Sequence, residues 1–210
     1  RCSGQALGDF RTPLQASPRQ REAMAYLIGT DEAGYGPNLG PLVIAASVWQ
    51  LPQTNSCEQA EVLLNRCLAD LAQQLPTGCR IRIADSKTLY NSRGSLQNLE
   101  SGLFPCLAAI GLRPTQWWDV WLRLAPDSVP EMRRMPWHQG VNIRVPVDAD
   151  LAPGTNGLFR QHLETAGVKL LDLRIQAIFP AQFNRLISDL GGKGTLLSSQ
   201  TLQLVQEAVA

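Results

Sequence analysis

Two neighbouring carboxylates, Asp31 and Glu32, stand between an apolar run and a turn in the stretch IGTDEAGYGPNLGPLV, residues 28–43. Ala25, Tyr26, Leu27 and Ile28 precede them, glycines follow at 34, 36 and 40, and a second apolar run covers 42–49. Strand, acid pair, glycine turn, strand is the form of an antiparallel ribbon with charge at one end. Uncompensated carboxylates beside a hydrophobic strand are costly unless water or a cation satisfies them. A divalent ion is the natural partner, because magnesium takes oxygen ligands, keeps several waters and needs few carboxylates. Successive strand residues point to opposite faces, so Asp31 and Glu32 reach one site only if Glu32 already lies in the turn. The glycines permit such a turn by allowing positive φ and close approach of the backbone.

A second set of polar residues, Asp85-Ser86-Lys87-Thr88-Leu89, follows a short apolar piece at 81–83. Lys87 suits a phosphate contact with Ser86 hydrogen-bonding nearby; the competing reading is a surface lysine behind an Asx-type turn at Asp85. Other candidates fall away. Gly34, Gly36 and Gly40 are followed by a strand and preceded by acids, which excludes a dinucleotide fingerprint. The Gly-Gly-Lys-Gly run at 191–194 follows a helix rather than a strand and is better read as its cap. His138 and His162 have no partner at ligand or triad spacing. Asp148, Asp150, Asp172 and Asp189 belong to no motif and are expected at the surface.

Together, DEAGYGPNLGPLV and the Asp85-Ser86-Lys87 element with Leu89 resemble the first two motifs of the type 2 ribonucleases H (ribonucleases HII and HIII). The resemblance covers these two segments. It implies metal-dependent endonuclease activity on RNA–DNA hybrids or on ribonucleotides embedded in DNA, with Mg2+ or Mn2+ as cofactor. Phosphodiester hydrolysis of this kind uses two ions roughly 3.5–4 Å apart, which activate water and stabilise the leaving oxygen. By the same resemblance Asp31 and Glu32 are catalytic metal ligands. Gly34, Tyr35 and Gly36 contact the ribose and backbone, and Ser86 and Lys87 contact substrate. Where the family has Gly-Arg-Gly, this chain has Gly34-Tyr35-Gly36. That exchange removes a cation and offers a ring for stacking or a hydroxyl for hydrogen bonding, so the preference for the ribose 2′-hydroxyl is left open. A non-catalytic nucleic-acid-binding protein on the same fold is the alternative.

The elements that must hold these residues follow from periodicity. Strands are predicted near 25–31 and 42–49, and a helix over 57–75 from apolar residues at 60, 63, 64, 67, 68, 71 and 75. An amphipathic helix at 95–110 is expected to break or bend at Pro105. Residues 112–140 form an insertion in which Trp117, Trp118, Trp121 and Trp137 crowd with Arg113, Arg123, Arg133 and Arg134. Two readings compete there: a stacking surface for single-stranded nucleic acid, or tryptophans packed into a peripheral core, the commoner outcome for aromatics. A strand at 141–147, a loop at 148–156 and a helix at 158–166 come next. The alternation at 169–178 sets Leu171, Leu173, Ile175 and Ala177 against Asp172, Arg174 and Gln176. Pro180 opens a helix, and a last helix covers 196–209.

The implied architecture is α/β, a ribonuclease H-like mixed sheet with flanking helices, incomplete at its C-terminal end. Residues 23–210 form this domain behind a mobile leader at 1–22. The fourth and fifth strands, and the third and fourth carboxylates of the family site, are expected after Ala210 in a longer protein. Apolar residues make up 44% and charged residues 18%, as in ordinary soluble domains, and a net charge of +1 neither requires nor excludes a polyanion. The five cysteines include no C-x-x-C pair. Reduced thiols and a cytoplasmic location are therefore expected, and no apolar run reaches membrane-spanning length.

Overall fold

The computed structural model describes residues 24–33, 40–74, 79–90 and 95–209. The leader expected at 1–22, and Gly34, Tyr35 and Gly36, lie outside the described residues. The architecture is α/β. Strands β1 (Met24–Ala33), β2 (Leu42–Pro52) and β3 (Lys169–Ile178) form one sheet in the order β1-β2-β3, with every pairing antiparallel. The mixed sheet expected from the resemblance is thus not seen among the described residues, which contain no parallel pair. The two opening strands run longer than periodicity predicts, because the ladder continues through Glu32 and Ala33 opposite Ile44 and Val43.

Helices cover both faces of the sheet. On one face, Leu42, Ile44, Ala46 and Ile178 bury against Phe183 of α7 (Pro180–Leu190) and against Leu196 and Leu204 of α8 (Lys193–Val209). Gly191, at φ 76°, ends α7 in the left-handed conformation that a side chain resists. On the other face, Trp49, Leu51 and Leu170 pack with α1 (Cys57–Gln74) and α6 (Thr155–Thr165). Next to them, Phe104 and Leu107 of α3 (Gln97–Ala109) join Leu124 of α4 (Trp117–Leu124) against Ile175. The four-residue helix α2 (Ser86–Leu89) lies against α3, and α5 (Val129–Arg134) buries Met132 beside Ala177 and Phe179.

Several local expectations are corrected. Helix α3 continues through Pro105 to Ala109 without a break. The predicted strand at 141–147 is a single bridge between Gln116 and Arg144. Pro146 has no N–H to extend it, and the next three amides, of Val147, Asp148 and Ala149, donate to the buried Glu100 carboxylate at 2.6, 2.7 and 2.8 Å. In β3 the alternation slips by one residue. Trp49 pairs with Leu170 and Val48 with Asp172, which leaves Leu171 as a bulge and 44% exposed. The piece at 81–83 joins no ladder among the described residues; of the three, only Ile81 is buried, in the core with Leu51 and Leu71.

Candidate functional site

Asp31 and Glu32 both lie within β1, not in the turn, and both are exposed. Residues directly opposite in an antiparallel ladder share a face, so the register fixes where each points. Glu32 stands opposite Ile44, whose side chain packs towards α7 and α8. Asp31 stands opposite Ala45, itself opposite Ile175, which packs towards α3 and α4. The condition under which both acids would share one face is therefore not met, and they flank the strand on opposite sides. Asp31 folds back locally, its Oδ1 accepting the Glu32 backbone N–H at 2.9 Å. Neither carboxylate is in an ion pair among the described residues.

Among the described residues β1 has a neighbour on one side only, β2. The pair is thus placed at a sheet edge, where two carboxylates can approach a cation from either side of the strand. Oxygen donors, exposure to solvent and room for water suit magnesium or manganese. The donor number does not exceed two: no group of three or more His, Cys, Asp or Glu side chains able to hold a metal is assembled among the described residues.

Ser86 and Lys87 open α2 and are exposed. Asp85 caps that helix, its Oδ1 accepting the Lys87 N–H at 2.9 Å, which is the Asx-type turn. The lysine side chain enters no hydrogen bond or ion pair among the described residues. Asn98 of α3 ties the far end of α2 by donating to the Leu89 carbonyl at 3.0 Å. The approach to α2 depends on Gly102. A Cβ there would come 2.1 Å from the Arg82 carbonyl oxygen, so only glycine lets the 81–83 segment lie on α3. No hydrogen bond or ion pair joins Ser86 or Lys87 to Asp31 or Glu32 among the described residues.

The insertion resolves into two kinds of tryptophan. Trp117 and Trp121 meet edge to face at 5.7 Å and, with Trp118, pack around Met132, Ala177 and Phe179. Trp137 is 58% exposed. A peripheral core accounts for the first three and leaves the fourth unexplained. The acids at 148, 150, 172 and 189 do not join Asp31. Asp148 accepts the Leu96 N–H at 2.6 Å, and Asp172 pairs with Arg174 at 2.7 Å.

Elsewhere, a cleft of about 350 Å³ is lined by Cys67, Asp70 and His162. Burial, with a smaller push from Asp70, raises the Cys67 thiol above its ordinary range, and His162 Nε2 lies 2.7 Å from the Cys67 backbone carbonyl. The raised thiol disfavours the thiolate that a nucleophile needs. No described helix is long and apolar enough to cross a membrane. The chain matches no family model, no curated protein and no solved structure.

Proposed function

We propose that this chain carries part of a metal-dependent endonuclease site resembling that of the type 2 ribonucleases H. Its substrate would be the RNA strand of RNA–DNA hybrids or ribonucleotides embedded in DNA. The observation that supports this reading is the placement of Asp31 and Glu32. They are consecutive, exposed and without ion pairs among the described residues, on the last rungs of an edge strand. Sheet pairing fixes their backbone, and their exposed carboxylates leave opposite faces of β1, each open to a hydrated cation.

Asp31 and Glu32 would hold Mg2+ or Mn2+, which supplies charge for water activation and for the leaving oxygen. Gly34, Tyr35 and Gly36 would bring backbone and ring against the ribose. Ser86 and Lys87 would take a phosphate of the same strand, an ammonium serving as a point charge for it. A second reading, a non-catalytic nucleic-acid-binding protein on the same fold, is favoured by one observation: the two acids have no third ligand among the described residues.

Cleavage of a labelled duplex with one embedded ribonucleotide, and of a plain hybrid, separates the two. With magnesium or manganese present the full-length natural protein should cut, and Asp31→Asn should slow cutting about a hundredfold or more, the scale of one lost electrostatic contributor. Cutting that persists with chelator, or is unchanged in Asp31→Asn, would remove the acid pair from the mechanism. Tight binding of the hybrid with no cutting by the full-length natural protein would establish the binding protein instead.

A further inference from the structure

The segment from Arg133 to Arg144 presents an aromatic and cationic ledge. Trp118 fixes its two ends: the Arg133 guanidinium lies 5.5 Å over the indole ring, and the indole N–H donates to the Val141 carbonyl at 2.8 Å. The Trp118 backbone N–H adds a bond to Asn142 Oδ1 at 3.2 Å. Between these anchors the chain makes consecutive tight turns, His138 N–H to the Met135 carbonyl at 3.0 Å and Val141 N–H to the His138 carbonyl at 3.3 Å. Trp137 sits at the crest of that fixed loop, 58% exposed, with Val141 and Ile143 40% and 48% exposed beyond it.

The charge is one-sided. Residues 133–147 include three arginines, at 133, 134 and 144, and no acidic residue. Arg134 is engaged by Glu131 at 3.0 Å, while Arg133 and Arg144 are exposed and in no ion pair among the described residues. An exposed indole costs apolar hydration, and Arg133 and Arg144 have no counter-charge among the described residues. A polyanion with accessible ring faces answers both, because bases stack on aromatics and phosphates pair with guanidinium groups. Duplex DNA buries its ring faces, so the fitting partner is unpaired nucleic acid.

Placement links the ledge to the acid pair. Its supporting core, Trp117, Trp118, Trp121 and Met132, packs on Val43 and Ala177. Val43 stands opposite Ala33, two residues beyond Asp31 on β1 and therefore on the same face. We propose that the Arg133–Trp137–Arg144 ledge binds a single-stranded stretch of nucleic acid on the Asp31 side of the sheet. The proposal rests on the reading of this chain as a nucleic-acid enzyme for its purpose, but the ledge itself needs no metal.

The test is fluorescence anisotropy of a labelled oligothymidylate with the whole chain in EDTA, which silences the acid site. Trp137→Ala should weaken binding roughly tenfold or more, the scale of one lost stacking contact. Arg144→Ala should lower the slope of log affinity against log salt by about 0.7, the value for one phosphate contact on a single strand. Circular dichroism of both variants checks that the fold is kept. Unchanged affinity in Trp137→Ala, no binding by the wild-type chain, or equal competition by a duplex or an acidic peptide would each overturn the ledge. Oligothymidylate binding lost in Trp137→Ala, with no metal-dependent cleavage by the full-length natural protein, would keep the ledge and remove the nuclease. Cleavage that depends on Asp31 while oligothymidylate binding ignores Trp137 would do the reverse.

Discussion

Asp119 shows how one side chain fixes the geometry on which the ledge stands. It sits in the first turn of α4 and accepts the backbone N–H groups of Thr115 and Gln116 at 3.0 and 2.9 Å, completing a capping box with Gln116. These two bonds, Thr115 first, hold its carboxyl below the usual aspartate range. The folded pKa is thus lower than the unfolded one. The stabilisation is complete above the unfolded value of about 4 and is lost as pH falls through the depressed folded value. Acid titration followed by tryptophan fluorescence should show α4 loosening in that window, and Asp119→Asn should flatten the response there. An identical acid profile in Asp119→Asn would detach the cap from the tryptophan core. At this scale the sequence was informative about residue type and silent about direction. Adjacent acids are visible in any reading of Asp31 and Glu32, but which face each takes depends on a ladder partner some dozen residues away.

Gly102 decides the path of an element it does not belong to. The contact of α3 with the Arg82 carbonyl leaves no room for a methyl group, and both sides of that contact are backbone, which does not yield as a side chain would. Gly102→Ala should destabilise the chain by about 2 kcal/mol, the usual range of overpacking. Urea unfolding would show it as a lower midpoint at unchanged slope. Full stability in that variant would mean that the 81–83 segment is not held on α3. No periodicity could reveal this, because a glycine inside an amphipathic helix looks like a mere propensity penalty. The same limit explains the other differences. The bulge at Leu171 comes from pairing with β2, and the absent strand at 141–147 comes from Glu100 capturing amides 47–49 positions away. Local pattern was sufficient for α1, α7 and α8, whose buried faces repeat within a few residues. It failed where a distant residue redirected the backbone.

In the whole molecule the two edges of the sheet are unequal. β3 is flanked by the 126–128 turn, α4 and α8, whereas β1 shows exposed residues from Gly29 to Ala33 and pairs only with β2 among the described residues. An antiparallel edge strand directs every second amide away from its partner, and folded proteins usually cover or charge an open edge of this kind, which would otherwise pair with another chain. Here two carboxylates at its end supply the charge, so the acid pair that would hold metal also discourages pairing with a second copy. Native-state hydrogen exchange tests this arrangement directly. Amides of β2, bonded on both sides, should exchange slowest, and β1 should alternate, one residue protected and the next fast. Adding manganese should slow the fast amides nearest Asp31 and Glu32 if those carboxylates hold the ion, and leave the fast amides near Met24 unchanged. Uniform protection along β1 without metal would mean that another strand already covers the edge, and a cation could then reach the two acids only from the faces of the sheet.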